Sequence, residues 1–131
     1  MKTHLYHLQL NVSARSLDFY KDLFTYLGYK IIDESDEYIG VSNGTTDFWL
    51  MKTEEKYLVS GFHRKNTGIN HLAFAVEGKE AVDQFSNDFL KTRRIPTLYN
   101  TPKLFPEYGP NYYAVYFEDP DRLKLEVVFK S

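Results

Sequence analysis

Two histidines in this chain stand at the heads of two similar stretches of sequence. His7 opens the segment HLQLNV, and His71 opens the segment HLAFAV. In both segments apolar residues alternate with others, which is typical of a β-strand with one buried face. Imidazoles are common ligands of divalent metals and common acid–base groups. Either the match is chance, or the chain repeats itself and the two histidines meet at one site.

The elements around these histidines follow the same order twice. A strand, a helix and three short strands are followed by a polar connector at about 54–68, and the same order then returns. An internal repeat of this kind indicates two copies of one supersecondary unit. The sequence therefore predicts an α+β fold of two βαβββ modules, at about 4–53 and 69–130, within the single domain 1–131.

Each module offers a small curved sheet with a helix on its back, which leaves one sheet face open. The two open faces can then close on each other. We therefore predict a curved, mixed sheet of eight strands around a cavity, with the helices on the outside.

Three segments, in this order and spacing, resemble the vicinal oxygen chelate superfamily, which includes glyoxalase I, bleomycin-resistance proteins, fosfomycin-resistance thiol transferases and extradiol dioxygenases. The segments are YHLQLNV with the following LDFYKDLF, GINHLAFAV, and VYFEDPDRLKLEVVF. The resemblance implies metal ligands at the head of the first strand of each module and a glutamate on the last strand. These positions fall on His7, His71 and Glu126.

Two positions depart from the pattern of that superfamily. The last motif usually reads Asp-Pro-Asp-Gly, and here Arg122 replaces the glycine. Proteins resembling glyoxalase I carry a fourth, acidic ligand on the last strand of module one, where this chain has Trp49, with Asp47 nearby on the same face as a substitute. The departure counts against a glyoxalase I reaction and fits the three-ligand pattern of the dioxygenases and thiol transferases.

Strand alternation supports the same ligands, because successive side chains point to opposite faces of a sheet. The residues expected to face the cavity on three strands are His7, Gln9, Asn11, His71, Ala73 and Glu126. Two imidazoles and a carboxylate suit divalent Fe, Mn, Zn, Co or Ni, and the sequence does not choose between them. The alternative is a metal-free cavity, as in proteins resembling bleomycin-resistance proteins, since a lone histidine heading a strand is often a hydrogen-bonded structural residue.

Aromatic residues supply the other site candidates. Tyr116 lies on the strand before Glu126, where the resemblance to extradiol dioxygenases implies a tyrosine that hydrogen-bonds the substrate; its alternative role is in the core. The proline-containing segment 101–111 is predicted to be a loop. Its Phe105 and Tyr108, together with Trp49, are candidates for the pocket wall. The loop could equally cover a sheet edge or mediate a dimer contact.

Composition excludes several other classes of protein. The net charge is −2 and no long basic run occurs, so we expect no nucleic-acid partner. The basic triplet at 63–65 is interpreted as part of a solvated loop. The absence of cysteine removes disulfides, thiolate metal sites and a cysteine nucleophile. No stretch resembles a signal peptide or a membrane span, so we expect a cytoplasmic protein without a membrane partner.

The sequence thus predicts a metal-dependent enzyme that acts on a small oxygen-rich substrate, a catechol among the candidates, chelated by a divalent metal. Ring-cleaving, dioxygenase-like chemistry is the first candidate reaction, with Tyr116 as a catalytic residue, and thiol transfer or a lyase reaction is the second. The alternative is a non-catalytic protein that holds a planar aromatic molecule between Tyr and Phe rings. We expect a homodimer, in which the ligands of one site could come from two chains.

Overall fold

The computed structural model describes residues 1–131, which form eight strands, two α-helices and shorter helical segments. The chain divides into two compact units, residues Met1–Gly61 and Phe62–Ser131. Each unit contains one βαβββ module, so the predicted α+β class and its two modules are confirmed. That both modules belong to a single domain stays a prediction. Neither α-helix is long and apolar enough to cross a membrane.

The first unit is a four-stranded mixed sheet with one helix on its back. Its elements are β1 (His7–Val12), α1 (Ala14–Tyr26), β2 (Lys30–Glu34), β3 (Tyr38–Ser42), β4 (Asp47–Lys52) and a 3₁₀ helix at Glu55–Ser60. The strand order is β1-β4-β3-β2, with β1 parallel to β4 and the other neighbours antiparallel. Helix α1 packs on β2, β3 and β4 and buries an apolar face against them.

The second unit repeats this architecture. Its elements are β5 (His71–Ala75), α2 (Lys79–Phe85), a π-helical continuation at Ser86–Lys91, β6 (Thr97–Leu104), a 3₁₀ helix at Pro106–Tyr108, β7 (Tyr113–Glu118) and β8 (Lys124–Phe129). The strand order is β5-β8-β7-β6, with β5 parallel to β8. Helix α2 packs on β7 and β8. The eight strands therefore form two four-stranded sheets, each covered by a helix on one face.

Strand β1 shows the alternation that the sequence predicts. Leu10 and Val12 are buried, whereas His7, Gln9 and Asn11 are exposed. Since the helix covers the face of the apolar residues, the polar residues lie on the open face of the first sheet.

The prediction of a loop at 101–111 is wrong for the first residues of that segment. Strand β6 continues to Leu104, with an irregularity between Leu98 and Lys103 where Tyr99 and Asn100 have φ of 59° and 54°. Proline ordinarily marks the end of a strand, but β6 is the edge strand of its sheet, where a missing N–H donor costs no ladder hydrogen bond. The loop itself begins only at Phe105.

Candidate functional site

The register of β8 decides which side chains share the open face of the second sheet, which is the face opposite α2. Glu126 is paired with Ala73 of β5 on one side and with Tyr116 of β7 on the other. Paired residues project their side chains to the same face, so Tyr116 lies beside Glu126. Phe117, the next residue on β7, points the other way and contacts the ring of Phe85 on α2 at 5.4 Å.

Glu126 is a carboxylate in an enclosed position, with only 1% of its surface exposed. Burying such a group costs free energy unless hydrogen bonds or a cation compensate for the lost water. The hydroxyl of Tyr112 donates to Glu126 Oε1 at 2.5 Å. His71 Nε2 lies 3.4 Å from Glu126 Oε2. The two carboxylate oxygens therefore face different partners, one a phenol and the other an imidazole.

The two phenols near this carboxylate are held in their protonated form. Burial and the hydrogen bond to Glu126 raise the pKa of Tyr112 to about 12. Burial and hydrogen bonding to Glu126 also raise the pKa of Tyr116 far above its usual range. At neutral pH both hydroxyls are hydrogen-bond donors, and neither can serve as a base.

The imidazole of His71 is held in one orientation by its sequence neighbour. Asn70 Nδ2 donates to the backbone carbonyl of Arg64 at 3.1 Å, which turns Asn70 Oδ1 toward His71 Nδ1 at 2.8 Å. An amide oxygen only accepts, so Nδ1 carries the proton and donates it. In a neutral ring the Nε2 lone pair then faces the Glu126 carboxylate, and a cation shared by the two groups would stabilise that arrangement.

The pair of His71 and Glu126 fits the requirements of a divalent metal. Two donor atoms that each lie about 2.1 Å from one ion are about 3.0–3.4 Å apart when the donor–metal–donor angle is between about 90° and the tetrahedral angle. The distance between His71 Nε2 and Glu126 Oε2 is 3.4 Å, which agrees with this range. A metal-bound histidine ordinarily donates its other N–H to an oxygen, as Nδ1 does to Asn70. Within neither unit do three His, Asp or Glu side chains form such a group. The second unit thus provides two donors.

A cavity of about 730 Å³ opens beside these groups within the second unit. Its walls are formed by His71, Tyr99, Lys103, Phe105, Tyr108, Tyr112, Tyr116 and Lys124. The rings of Phe105 and Tyr108 are stacked at 5.7 Å, and Phe105 contacts Tyr116 edge-on at 5.5 Å. Aromatic walls with a few polar groups at one end are typical of small-molecule sites.

The predicted site residues divide between the two units. The second unit brings together His71, Glu126 and Tyr116, places Ala73 next to Glu126, and sets Phe105 and Tyr108 in the cavity wall. The residues predicted from module one, His7, Gln9, Asn11 and Trp49, lie on the open face of the first sheet. The role of His7 as a ligand stays a prediction.

On that open face each β1 residue has a partner on β4. His7 is paired with Asp47, and Gln9 is paired with Trp49. On the other side of β4 Trp49 is paired with Gly40, and its indole covers that glycine. An aromatic ring therefore lies at the position where the resemblance to glyoxalase I leads us to expect an acid.

Three wall residues are absent from the sequence prediction, namely Tyr99, Lys103 and Tyr112. Alternation already predicts Lys124 on the face of Glu126, and it offers a signal for Tyr112, which has the parity of Tyr116. Lys103 lies in the segment predicted to be a loop. The turn of the backbone at Tyr99 has no sequence signal.

Arg64 is predicted to lie in a solvated loop, and the structure shows it in a less exposed place. Its side chain is only 19% exposed, and its Nη1 pairs with Glu118 Oε2 at 2.5 Å. The same Nη1 donates to the carbonyl of Arg122 at 3.2 Å. The segment before β5 is thereby attached to the β7–β8 hairpin, and its carbonyl at Arg64 is in place to orient Asn70.

The chain is similar along its whole length to known proteins. It is 35% identical over 131 residues to YqjT, an uncharacterized protein of Bacillus subtilis (strain 168), which covers 97% of this chain and 99% of that protein. A crystal structure of a candidate glyoxalase from Bacillus halodurans matches with a TM-score of 0.86 and 38% identity, over 96% of this chain and 95% of that one. Lactoylglutathione lyase from Agrobacterium tumefaciens shares the fold, with a TM-score of 0.68, 20% identity, and coverage of 98% and 94%. No protein-family model matches the chain.

The two βαβββ modules, together with these structural neighbours, define a protein of the glyoxalase, bleomycin-resistance and dioxygenase fold. The chain belongs to the vicinal oxygen chelate superfamily.

Proposed function

We propose that this protein is a metal-dependent enzyme that acts on a small, oxygen-rich substrate chelated by a divalent metal. The proposed metal ligands are His7, His71 and Glu126, and the proposed catalytic hydrogen-bond donor is Tyr116. The observation that carries the proposal is the position of the His71 imidazole: its Nε2 lies 3.4 Å from the buried Glu126 carboxylate, while its Nδ1 lies 2.8 Å from Asn70 Oδ1. With the proton on Nδ1, the Nε2 lone pair and the carboxylate repel each other at this distance, and a bound cation would remove the repulsion.

A bound metal would lower the pKa of a substrate hydroxyl or polarise a substrate oxygen. The residues of the chain have separate tasks around that centre. Tyr112 holds Glu126 Oε1, which leaves Oε2 on the side of His71. Tyr116 keeps its proton at neutral pH, so it donates a hydrogen bond to a negatively charged substrate oxygen. Ring cleavage of a catechol-type substrate is the first candidate reaction, and thiol transfer or a lyase reaction is the second.

Metal analysis combined with thermal unfolding tests this proposal. We expect stoichiometric divalent metal in protein purified without chelator, and a lower midpoint after EDTA treatment, since a ligand of the folded state stabilises by mass action. His71→Ala should abolish the EDTA effect, whereas His63→Ala, at an exposed position of the same unit, should retain it. The proposal is contradicted if the protein binds none of Fe, Mn, Zn, Co or Ni and if EDTA leaves its thermal midpoint unchanged.

The second candidate function is non-catalytic binding of a planar aromatic molecule. It is favoured by the ring cluster of Phe105, Tyr108, Tyr112 and Tyr116, which forms a wall without any contribution from a metal. This function predicts binding of flat aromatic compounds that survives EDTA, with no turnover when a metal is added. Calorimetric titration of EDTA-treated and metal-loaded protein with the same compound distinguishes the two functions.

We also propose a homodimer that works in the cytoplasm on a small molecule. Light scattering of the purified protein measures the mass of the assembly. If the ligands of one site come from two chains, mixing inactive His7→Ala and His71→Ala proteins restores activity in the mixed dimer. A monomer at working concentration contradicts the proposed assembly.

A further inference from the structure

Two ammonium groups border the aromatic cavity of the second unit. Lys124 Nζ lies 5.5 Å from the ring centre of Tyr99 and 5.6 Å from that of Tyr116. Lys103 Nζ lies 5.1 Å from the ring centre of Phe105. Both lysines therefore lie over aromatic faces that also form the walls of the cavity.

The nearby carboxylates have other partners. Glu118 forms ion pairs with Arg64 and Arg122, and Glu126 faces the hydroxyl of Tyr112 and the imidazole of His71. The other polar contact of Lys124 is a 3.5 Å hydrogen bond to the hydroxyl of Tyr99, which is a neutral acceptor. An ammonium with no carboxylate partner beside a cavity is available to a ligand.

The net charge of the groups at the cavity is therefore positive. Glu126 contributes one carboxylate, and its oxygens already face Tyr112 and His71. Lys103 and Lys124 contribute two positive charges. A cavity of one sign of charge with low-dielectric walls concentrates ligands of the opposite sign. A divalent cation at the proposed metal site would add to this preference.

The ring contacts of the lysines leave them free to respond to an anion. A cation–π contact at a partly exposed site is weaker than a hydrogen bond between an ammonium and a carboxylate. An acid group entering the cavity would draw the flexible lysine side chains away from the rings. The exposed ring faces would then be covered by the skeleton of the same ligand.

We propose that the cavity selects a flat organic acid, an aromatic or conjugated skeleton that carries a carboxylate. Lys103 and Lys124 bind the carboxylate, and the rings of Phe105, Tyr108 and Tyr116 bind the skeleton. The volume of about 730 Å³ accommodates an acid of one or two rings. The inference rests on the proposed function for the chelation of the ligand's vicinal oxygens, but the preference for an acid requires no metal.

A matched pair of probes isolates the carboxylate. Catechol and 3,4-dihydroxybenzoate carry the same vicinal hydroxyls and differ by one acid group. In calorimetric titrations of EDTA-treated protein, we expect 3,4-dihydroxybenzoate to bind at least about tenfold more tightly, the equivalent of one modest charge-assisted hydrogen bond. The preference should shrink as ionic strength rises.

Variants then assign the preference to the two lysines. The double variant Lys103→Gln/Lys124→Gln should bind both probes with equal affinity, whereas the control Lys65→Gln/Lys130→Gln, with both substitutions outside the cavity, should keep the preference. Equal affinity in the wild-type protein, or a preference that survives the double variant, overturns the inference. A preference that persists while added metal improves the affinity for neither probe contradicts the proposed function alone. Unchanged thermal midpoints show that the variants are folded.

Discussion

The indole of Trp49 lies directly over Gly40 in the first sheet, and the contact predicts a specific cost for any side chain at position 40. A Cβ added at Gly40 would lie 2.5 Å from Cζ3, 2.7 Å from Cη2 and 2.8 Å from Cε3 of the indole. Non-bonded carbon atoms ordinarily approach to about 3.5–4.0 Å. The ring or the strand must therefore move by about 1 Å to admit one methyl group.

We expect Gly40→Ala to lower the free energy of unfolding by about 1–3 kcal/mol, the usual cost of an overpacked contact. The backbone is not the cause, since Gly40 is not among the residues with positive φ. When the indole is removed by Trp49→Leu, the same Gly40→Ala substitution should instead be neutral or stabilising by up to about 1 kcal/mol, because alanine is favoured over glycine in a strand.

Urea unfolding of the four proteins in this double-mutant cycle measures the coupling between the two residues. Trp49 is the one tryptophan of the chain, so its fluorescence reports the position of the displaced ring without interference. We expect a shifted emission maximum in Gly40→Ala. If Gly40→Ala costs the same free energy in the Trp49→Leu protein as in the wild type, contact with the indole is not the reason that position 40 is a glycine.

Three further predictions concern the second unit. The pKa of Tyr112 is raised to about 12 in the folded protein, whereas in the unfolded chain it is near 10. The protonated hydroxyl therefore stabilises the fold below about pH 10, and this stabilisation is lost as the pH rises from about 10 to about 12. Over that pH range the thermal midpoint should fall less steeply in Tyr112→Phe than in the wild type. Arg122 has φ of 69°, in the left-handed region that strains a residue with a Cβ. Arg122→Gly should therefore raise the free energy of unfolding, measured in urea, by about 0.5–1 kcal/mol. A decrease would show that the contacts of the arginine outweigh this strain. Asn70→Ala should weaken metal binding by about 10–100-fold, because it removes the oxygen that orients His71. The control Asn111→Ala, at an exposed position outside the cavity wall, should leave the metal affinity measured by titration unchanged. Equal affinity in both variants would contradict a positioning role for Asn70.

Alternation along the strands could be predicted because it depends only on the period of the backbone. The faces of β1 follow directly from the order of its residues, and the same reasoning places Glu126 on the open face of β8. The β7–β8 hairpin keeps its register although Arg122 replaces a glycine, because Asp119 Oδ1 accepts hydrogen bonds from the backbone N–H groups of Asp121 and Leu123. Local hydrogen bonds thus hold the register to Glu126 with an arginine at position 122.

Features that depend on pairing between strands could not be predicted in the same way. Tyr113 and Tyr116 have opposite parity, and only the pairing of Tyr116 with Glu126 shows which of them faces the open side. The extension of β6 is hidden by Pro102, which is tolerated because β6 is an edge strand. The orientation of His71 depends on a carbonyl at Arg64 that an ion pair to another hairpin holds in place.

The two modules have kept one backbone pattern and changed the chemistry on it. Trp49 and Glu126 occupy the same position of the repeat, since each is paired with the residue two places after the histidine that heads its module. On the other side, Trp49 is paired with Gly40 and Glu126 is paired with Tyr116. In one module a glycine makes room for an indole, and in the other a tyrosine lies beside a carboxylate.

This difference predicts that a single Trp49→Glu substitution would not give a carboxylate the surroundings that Glu126 has. The carboxylate of Glu126 is stable in a buried place because Tyr112 donates to it and His71 lies at its other oxygen. A glutamate at position 49 would lie between Gly40, which has no side-chain donor, and Gln9, whose amide can donate. It would lack both the phenol and the imidazole that Glu126 has in module two, so its charge would have fewer partners than that of Glu126.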